Sequence, residues 1–321
     1  MAAPTKVLYI AGSGRSCTTL LGHILGQVPG FCFIGEAMYA WRVLGDRLCG
    51  CGAPLEDCEF WNAVRREAAG DLPPAPADFF GLGQVTRWRH LALTYGKDRE
   101  PRLAARYRRH WHGTERLYQA TAGLSGAEVV VDSSKSVPYG RMLALLPGLD
   151  TYVVHLVRDA RAVTHSWKRR MAAPDRSSGP YMRQRGTVRS AAFWSASNLG
   201  AELFCRRPGR YLRLRYEDFA ERPRPAVESV LRMVADRPLA LPFVGERTVT
   251  LGRTHSIKGN PNRLQVGAVE IAVDDRWRTG MAAGDRRLVT ALTWPLLAHY
   301  SYLGGARHPD PLPLEPESSQ H

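Results

Sequence analysis

Lysine is scarce in this chain. Of 44 basic residues only five are lysine (Lys6, Lys97, Lys135, Lys168 and Lys258), so a net charge of +14 rests almost wholly on arginine. The rigid guanidinium fork suits phosphate and sulfate oxygens better than a point charge does. No run approaches the ~18 consecutive apolar residues of a membrane span, so no transmembrane helix and no membrane partner are expected. "MAAPTKVLYIAG" has too short an apolar run for a secretory signal, which makes a cytoplasmic protein the expectation. Six cysteines in 321 residues do not make a disulfide scaffold. A basic nucleic-acid-binding protein remains a rival reading, but it should show a contiguous basic stripe and a recognised motif. Here cations accompany hydroxyls at the ends of apolar runs, and no nucleic-acid partner is expected.

Those apolar runs give the fold class. Val7 to Ala11 predicts a buried strand, and "TTLLGHILG" a helix with Leu20, Leu21, Ile24 and Leu25 on its apolar side. "GFCFIGE" predicts a second strand ending at Glu36, "AEVVVDSSK" a third and "TYVVHLV" a fourth, the last two each followed by a polar exit and a helix. Repeated strand, exit and helix units predict an α/β fold: one three-layer domain around a central parallel sheet. Helices are expected from Pro101 to Gly123, Thr187 to Cys205, Pro225 to Met233 and across "DRRLVTALTWPLLAHYSYLG", and a strand over "RYLRLRYEDF". The domain spans 1–304, with inserted loops 37–127 expected to cover the acceptor site, 41–98 within them reading as loops and irregular helices; 305–321 is expected to be a flexible tail. "MAAPDRSSGPYMRQRG" breaks the periodicity and reads as a mobile loop.

The stretch "AGSGRSCTTLLGHILG" lies between the first strand and helix. In that setting the amides of Gly14, Arg15, Ser16, Cys17, Thr18 and Thr19 can converge on an anion at a helix N-terminus, while Ser16, Thr18 and Thr19 donate hydroxyls and Arg15 a bidentate charge. A structural turn that binds nothing would also tolerate these residues. A triphosphate P-loop needs GxxxxGK[ST], and the only nearby lysine, Lys6, precedes the strand. A dinucleotide fold needs a third glycine where Cys17 stands. The turn is P-loop-like and suited to a diphosphate or phosphosulfate.

"GSGRSCTTLL" resembles the 5′-phosphosulfate loop of sulfotransferases that use 3′-phosphoadenylyl sulfate (PAPS), in the arginine form of the carbohydrate and tyrosylprotein branch. "VVHLVRDARAVTHSW" is similar to their 3′-phosphate segment, which implies that Arg158 and Ser166 grip that phosphate. "FIGE" and "VVVDSSKSVP" place Glu36 and Lys135 where tyrosylprotein sulfotransferases carry a catalytic base and lysine. The resemblance therefore implies a sulfotransferase that moves the sulfuryl group of PAPS in line to a hydroxyl, releasing adenosine 3′,5′-bisphosphate (PAP). Glu36 would be the general base, with Arg15 and Lys135 stabilising the transition state and no metal required. "RLRYEDF" resembles the tyrosine-acidic segment that many family members carry near the nucleotide, which implies a place for Tyr216 there, as a stacking surface or a core residue. The glycine-rich closing motif of the aryl enzymes is absent; "HSIKGNPNR" stands in its place, and Asn260 and Arg263 are assigned there to the nucleotide. Ser134 is a further donor to it. A phosphonucleotide sensor without activity would keep both anion sites but have no use for Glu36 and Lys135.

His23 and His155 fall inside apolar elements and read as core residues rather than rival bases; His165 orients the 3′-phosphate segment. Trp88, His90, Tyr95, Trp111, Tyr118, Tyr181 and Trp194 offer walls for an acceptor, expected to be a small alcohol, phenol or sugar such as a secondary metabolite or glycan. A homodimer is left open. "CGCGAPLEDCEFW" puts Cys49, Cys51 and Cys58 within ten residues. Three readings stand for it: zinc, if Cys32 or a histidine completes four ligands; a disulfide; or unlinked packing thiols, which is the expectation, with no metal assigned.

Overall fold

The structure is a computed structural model that describes residues 3–41, 47–70, 108–175 and 179–304. The amino-terminal half alternates strand and helix: β1 (Thr5–Gly12), α1 (Thr18–Leu25), β2 (Phe31–Gly35), α2 (Glu59–Ala69), α3 (Arg108–Ser125), β3 (Val129–Lys135), α4 (Val137–Leu143), β4 (Leu149–Val157) and α5 (Ala160–Lys168). Then come α6 (Thr187–Cys205), β5 (Tyr211–Arg215), α7 (Tyr216–Glu221), α8 (Pro223–Val234), β6 (Thr248–Leu251), β7 (Gly267–Glu270), α9 (Trp277–Gly280) and α10 (Ala283–His299).

Five strands form one sheet in the order β2-β3-β1-β4-β5, every neighbour parallel. β1 is buried on both faces, as a central parallel strand must be. Its period-2 alternation sends Val7, Tyr9 and Ala11 into one core, shared with Trp61, Trp111, Leu117 and Leu143, and Leu8 and Ile10 into another with Leu21, Ile24, Phe219 and Val230. Helices therefore cover both faces, as the three-layer expectation requires. A third cluster joins α5, α6 and α10 through Val163, Trp194, Val289 and Leu297.

Three elements differ from expectation. The strand through "YEDF" stops at Arg215, opposite Val157 at the end of β4; beyond it there is no ladder partner, and Glu217 and Asp218 suit the first turn of α7. Within the segment expected to be irregular, α2 is a regular helix that buries Trp61, Val64 and Ala68 at helical spacing. β6 and β7 form an antiparallel ribbon that was not anticipated. Residues 101–107 of the helix expected from Pro101 to Gly123 and the tail 305–321 lie outside the described residues.

Gly12 closes β1 at φ 124°, paired with Leu156 of β4; a Cβ there would stand 2.4 Å from the Leu156 carbonyl oxygen. Gly12→Ala should cost about 3 kcal/mol, because both the left-handed backbone and the ladder resist it. Urea unfolding measures the loss, and a variant as stable as the wild type would show that the strands part freely here.

Candidate active site at the strand ends

All five strands of a parallel sheet end on one edge, and here each contributes a residue expected in the site. β1 runs into the turn 13–17, whose Arg15 and Cys17 both adopt left-handed backbone, φ 72° and 70°. Such alternation away from glycine is costly and turns successive amides toward one centre. Gly14 packs so closely on the Trp167 ring of α5 that a Cβ would meet it at 3.0 Å. The Ser16 hydroxyl is fully buried with no hydrogen-bond partner among the described residues, so the turn holds an unused donor that fits an anionic oxygen. Thr18 opens α1 and is buried; Thr19 accepts a hydrogen bond from the Asn260 amide at 3.2 Å, while the Asn260 side chain accepts from Asn262. Burial pushes the Cys17 thiol up to about 11, against the pull of Arg158.

β4 ends at Arg158. Its Nη1 donates to the Arg15 carbonyl at 3.1 Å, and Nη2 to the Asp274 carbonyl at 2.8 Å with Asp274 Oδ2 at 3.3 Å. Its guanidinium lies 4.3 Å from the centre of the Tyr216 ring at the end of β5. Asp274 also bridges Arg276, and the two arginines, Arg276 first, hold its carboxyl well below the usual range. The turn after β1 and the segment after β4, both marked for anions by the sequence, are therefore joined directly. Tyr216 serves as the floor beneath Arg158 and donates its own hydrogen bond to the Ala272 carbonyl. Ser166 lies on α5, half-buried, eight residues beyond Arg158.

β2 and β3 end in a carboxylate and an ammonium: Lys135 Nζ stands 2.8 Å from Glu36 Oε1 and also donates to the Ser133 carbonyl. Both side chains are largely shielded, at 15% and 14% exposure. Lys135 has φ 64°, a further left-handed residue at a strand exit. Before Glu36, Gly35 has φ 75° and packs against residues 256–258, where a Cβ would lie 2.8 Å from the Lys258 carbonyl. Ser134 is committed on both sides, donating to Asp132 at 2.6 Å and accepting from the Met38 amide at 3.2 Å. Asp132, fully buried, also accepts from Tyr118.

The remaining residues singled out in the sequence scatter. Arg263 is 1% exposed, with its guanidinium given to the Ser256 carbonyl (2.9 Å), the Leu48 carbonyl (2.7 Å) and Asp175 (3.1 Å), so it joins three segments from inside. His23 bonds the Gly252 carbonyl; His155 lies between Tyr211 and Asn198, and burial lowers its pKa to about 4. Trp111, Tyr118 and Trp194 are core residues rather than walls, and the Trp194 indole holds the Arg158 carbonyl at 2.8 Å. Tyr181 is exposed beneath Arg170. Trp88, His90 and Tyr95 lie outside the described residues.

Sequence reasoning missed the surroundings of Arg15. The segment expected to be a mobile loop folds back on itself: Met182 bonds the Met171 carbonyl and Ala173 the Pro180 carbonyl. Met171 and Met182 both present sulfur to Arg15 at 3.2 Å, and the Trp167 ring receives the guanidinium groups of both Arg15 (4.8 Å) and Arg185 (4.0 Å). The adjacency of Trp167 to Ser166 was the one available signal.

The sulfotransferase family profile matches residues 8–235, well over half of the chain and every strand of the main sheet. The chain belongs to the sulfotransferase family. It is a PAPS-dependent enzyme of that family. The sulfotransferase domain from the Synechococcus PCC 7002 olefin synthase is similar in fold, with a TM-score of 0.50 and 19% identity over 96% of this chain and 98% of that one. The sulfotransferase domain from the curacin biosynthetic pathway gives a TM-score of 0.47 and 14% identity over 90% and 98%. No curated protein matches in sequence. Among the described residues, no helix of this sulfotransferase is long and apolar enough to cross a membrane.

Burial raises the Asp132 carboxyl to about 6, against the hydrogen bonds of Ser134 and Tyr118 and the charge of Lys135. An unfolded aspartate titrates near about 3.9, so between those values the native state binds the proton more tightly and stability falls as pH rises. Relative to Asp132→Asn, the wild type should lose up to about 3 kcal/mol between about pH 4 and 6.5. Paired urea titrations across that window test this, and a pH-independent difference would contradict it.

Proposed function

We propose that this enzyme transfers the sulfuryl group of PAPS to a hydroxyl of a small-molecule acceptor (alcohol, phenol or sugar), with Glu36 as general base and Arg15 and Lys135 stabilising developing charge. The observation that carries this reading is the 3.1 Å hydrogen bond from Arg158 to the Arg15 carbonyl. It makes the two anion-binding segments, 143 residues apart, neighbours at the ends of adjacent strands. In this reading the turn from Gly14 to Thr19 receives the phosphosulfate, with the orphaned Ser16 hydroxyl as one donor. Arg158, floored by Tyr216, receives the 3′-phosphate together with Ser166. Asp274 Oδ2 already gives Arg158 an anionic partner; a phosphate would take that place while Asp274 keeps Arg276. Asn260 braces the turn through Thr19, and Ser134 braces the Glu36 turn through Met38. To Arg263 we assign an architectural role, since its guanidinium already serves three acceptors.

PAPS supplies an activated sulfuryl group, and its transfer is governed by alignment and charge. Glu36 takes the proton of the acceptor hydroxyl as that oxygen attacks, which requires the hydroxyl within about 3 Å of a carboxylate oxygen. Lys135, touching Glu36, aligns the carboxylate and brings positive charge to the same place. Arg15 offers its charge from the turn, where the leaving phosphate gains electrons. The arginine-form loop and the paired Glu36 and Lys135 favour the carbohydrate and tyrosylprotein branch as nearest in motif.

Transfer of labelled sulfate from PAPS to a panel of alcohols, phenols and sugars tests the reaction. Glu36→Gln should bind PAP as the wild type does yet lose about 10²- to 10⁴-fold in transfer; transfer at the wild-type rate would remove Glu36 as base. Calorimetry with PAP and AMP tests the second site. Arg158→Ala should lose about 10- to 100-fold of the preference for PAP, and an unchanged preference would place the 3′-phosphate elsewhere.

A further inference from the structure

Beside the 256–258 segment that packs on Gly35 lies a cluster the transfer chemistry does not use. Cys49, Cys51 and Cys58 gather with His255, and their three Sγ atoms and one imidazole nitrogen lie within 4.8 Å of one another. Cys49 Sγ is 3.8 Å and Cys58 Sγ 3.5 Å from His255 Nδ1, and Cys51 Sγ is 3.9 Å from Cys58 Sγ. A tetrahedral zinc ion with Zn–S near 2.3 Å and Zn–N near 2.05 Å demands about 3.8 Å between sulfurs and about 3.6 Å between sulfur and nitrogen. A disulfide would demand about 2.05 Å between two of those sulfurs, and all three thiols are free. We propose that Cys49, Cys51, Cys58 and His255 bind one zinc ion in a closed, structural site.

The surroundings are those of a held ligand set. The His255 ring stacks on Phe60 at 4.3 Å and 20°, and the Trp61 indole donates to the His255 carbonyl at 2.6 Å, which fixes how Nδ1 points. The Cys49 amide bonds Ala53 and the Gly52 amide bonds Cys49, closing a tight turn in which Gly52 has φ 97°, and Arg253 clasps the Cys51 carbonyl at 2.9 Å. Three thiolates and a neutral imidazole on Zn²⁺ leave one negative charge; Arg65 of α2, near Cys58 and Cys49, offsets it. Cys49 and Cys58 are buried, and all four positions of a tetrahedron are filled by protein, so no place remains for water or substrate. Of the completions left open by the sequence, a histidine fits; Cys32 is not in the group.

Binding forms three Zn–S bonds and one Zn–N bond and releases three thiol protons to solvent. The ion would tie residues 49–58 to a segment about 200 positions later in the chain. That later segment is the one that packs on Gly35 and pairs Ile257 with Ile34, immediately before Glu36. The zinc would brace the Glu36 turn from behind without touching the reacting atoms, and the assignment does not depend on the catalytic reading.

Elemental analysis of the full chain purified under reducing conditions should find about one zinc per chain. Thiol titration of the native protein should show three fewer reactive thiols than after chelation. Cys58→Ser and His255→Ala should lose the metal, whereas Cys32→Ser should keep it. Because the first two variants can fail to fold, cobalt(II) added to chelator-stripped wild type gives an independent reading. Intense visible d–d bands with thiolate charge-transfer absorption are expected, and His255→Cys should shift them while retaining binding. Protein that carries no zinc and shows no such bands with cobalt, or a mass consistent with a disulfide among these cysteines, overturns the site.

Discussion

The strand ends work as a unit because β1 lies between β3 and β4 in parallel register. That placement brings the β1 turn beside Lys135 on one side and Arg158 on the other. An antiparallel neighbour would have carried one of these to the opposite edge of the sheet. The chain leaves β1 for the β2 edge, returns through β3 and crosses to β4, so the crevice at β1 is where connections diverge and a ligand can enter between them. Gly12 sharpens the constraint: lacking a side chain, it lets β1 press on β4 at the point where the turn 13–17 begins. The distance between Arg158 and the Arg15 carbonyl follows from this pairing rather than from either segment alone.

Around that edge, charge is organised in pairs. Glu36 meets Lys135, Arg158 meets Asp274, Asp274 meets Arg276, and Arg263 meets Asp175. The large positive excess thus does not collapse into uncompensated repulsion at the centre of the molecule. The first two pairs keep a small exposure at the strand ends, whereas the last is sealed and holds segments together.

Local order was legible in the sequence. Apolar runs of strand length followed by polar exits marked β1 to β4, and helical spacing marked α6 to the residue. Most of the candidate site residues named from the sequence lie within a few positions of a strand end, where topology decides the location. What stayed hidden is set by contacts remote in sequence. Nothing near Arg263 announces that Leu48 and Asp175 will claim its guanidinium. Nothing in "RRHWHGTERLYQ" announces that Tyr118 will reach Asp132 instead of an acceptor. The end of β5 was misplaced because a strand continues only while its neighbour does, and "TYVVHLV" stops at Val157.

The buried Arg263 has a mechanical consequence. One guanidinium spans the carbonyl beside Cys49, the carbonyl beside His255 and the carboxylate of Asp175, four residues beyond the Met171 that meets Arg15. Asp175 cannot swing away without stranding a charge in the interior, and loss of either carbonyl leaves a buried guanidinium donor unpaired, so opening of the three is coupled. Their slow amides should exchange with solvent at one common opening free energy, making these distant stretches of chain a single cooperative folding unit.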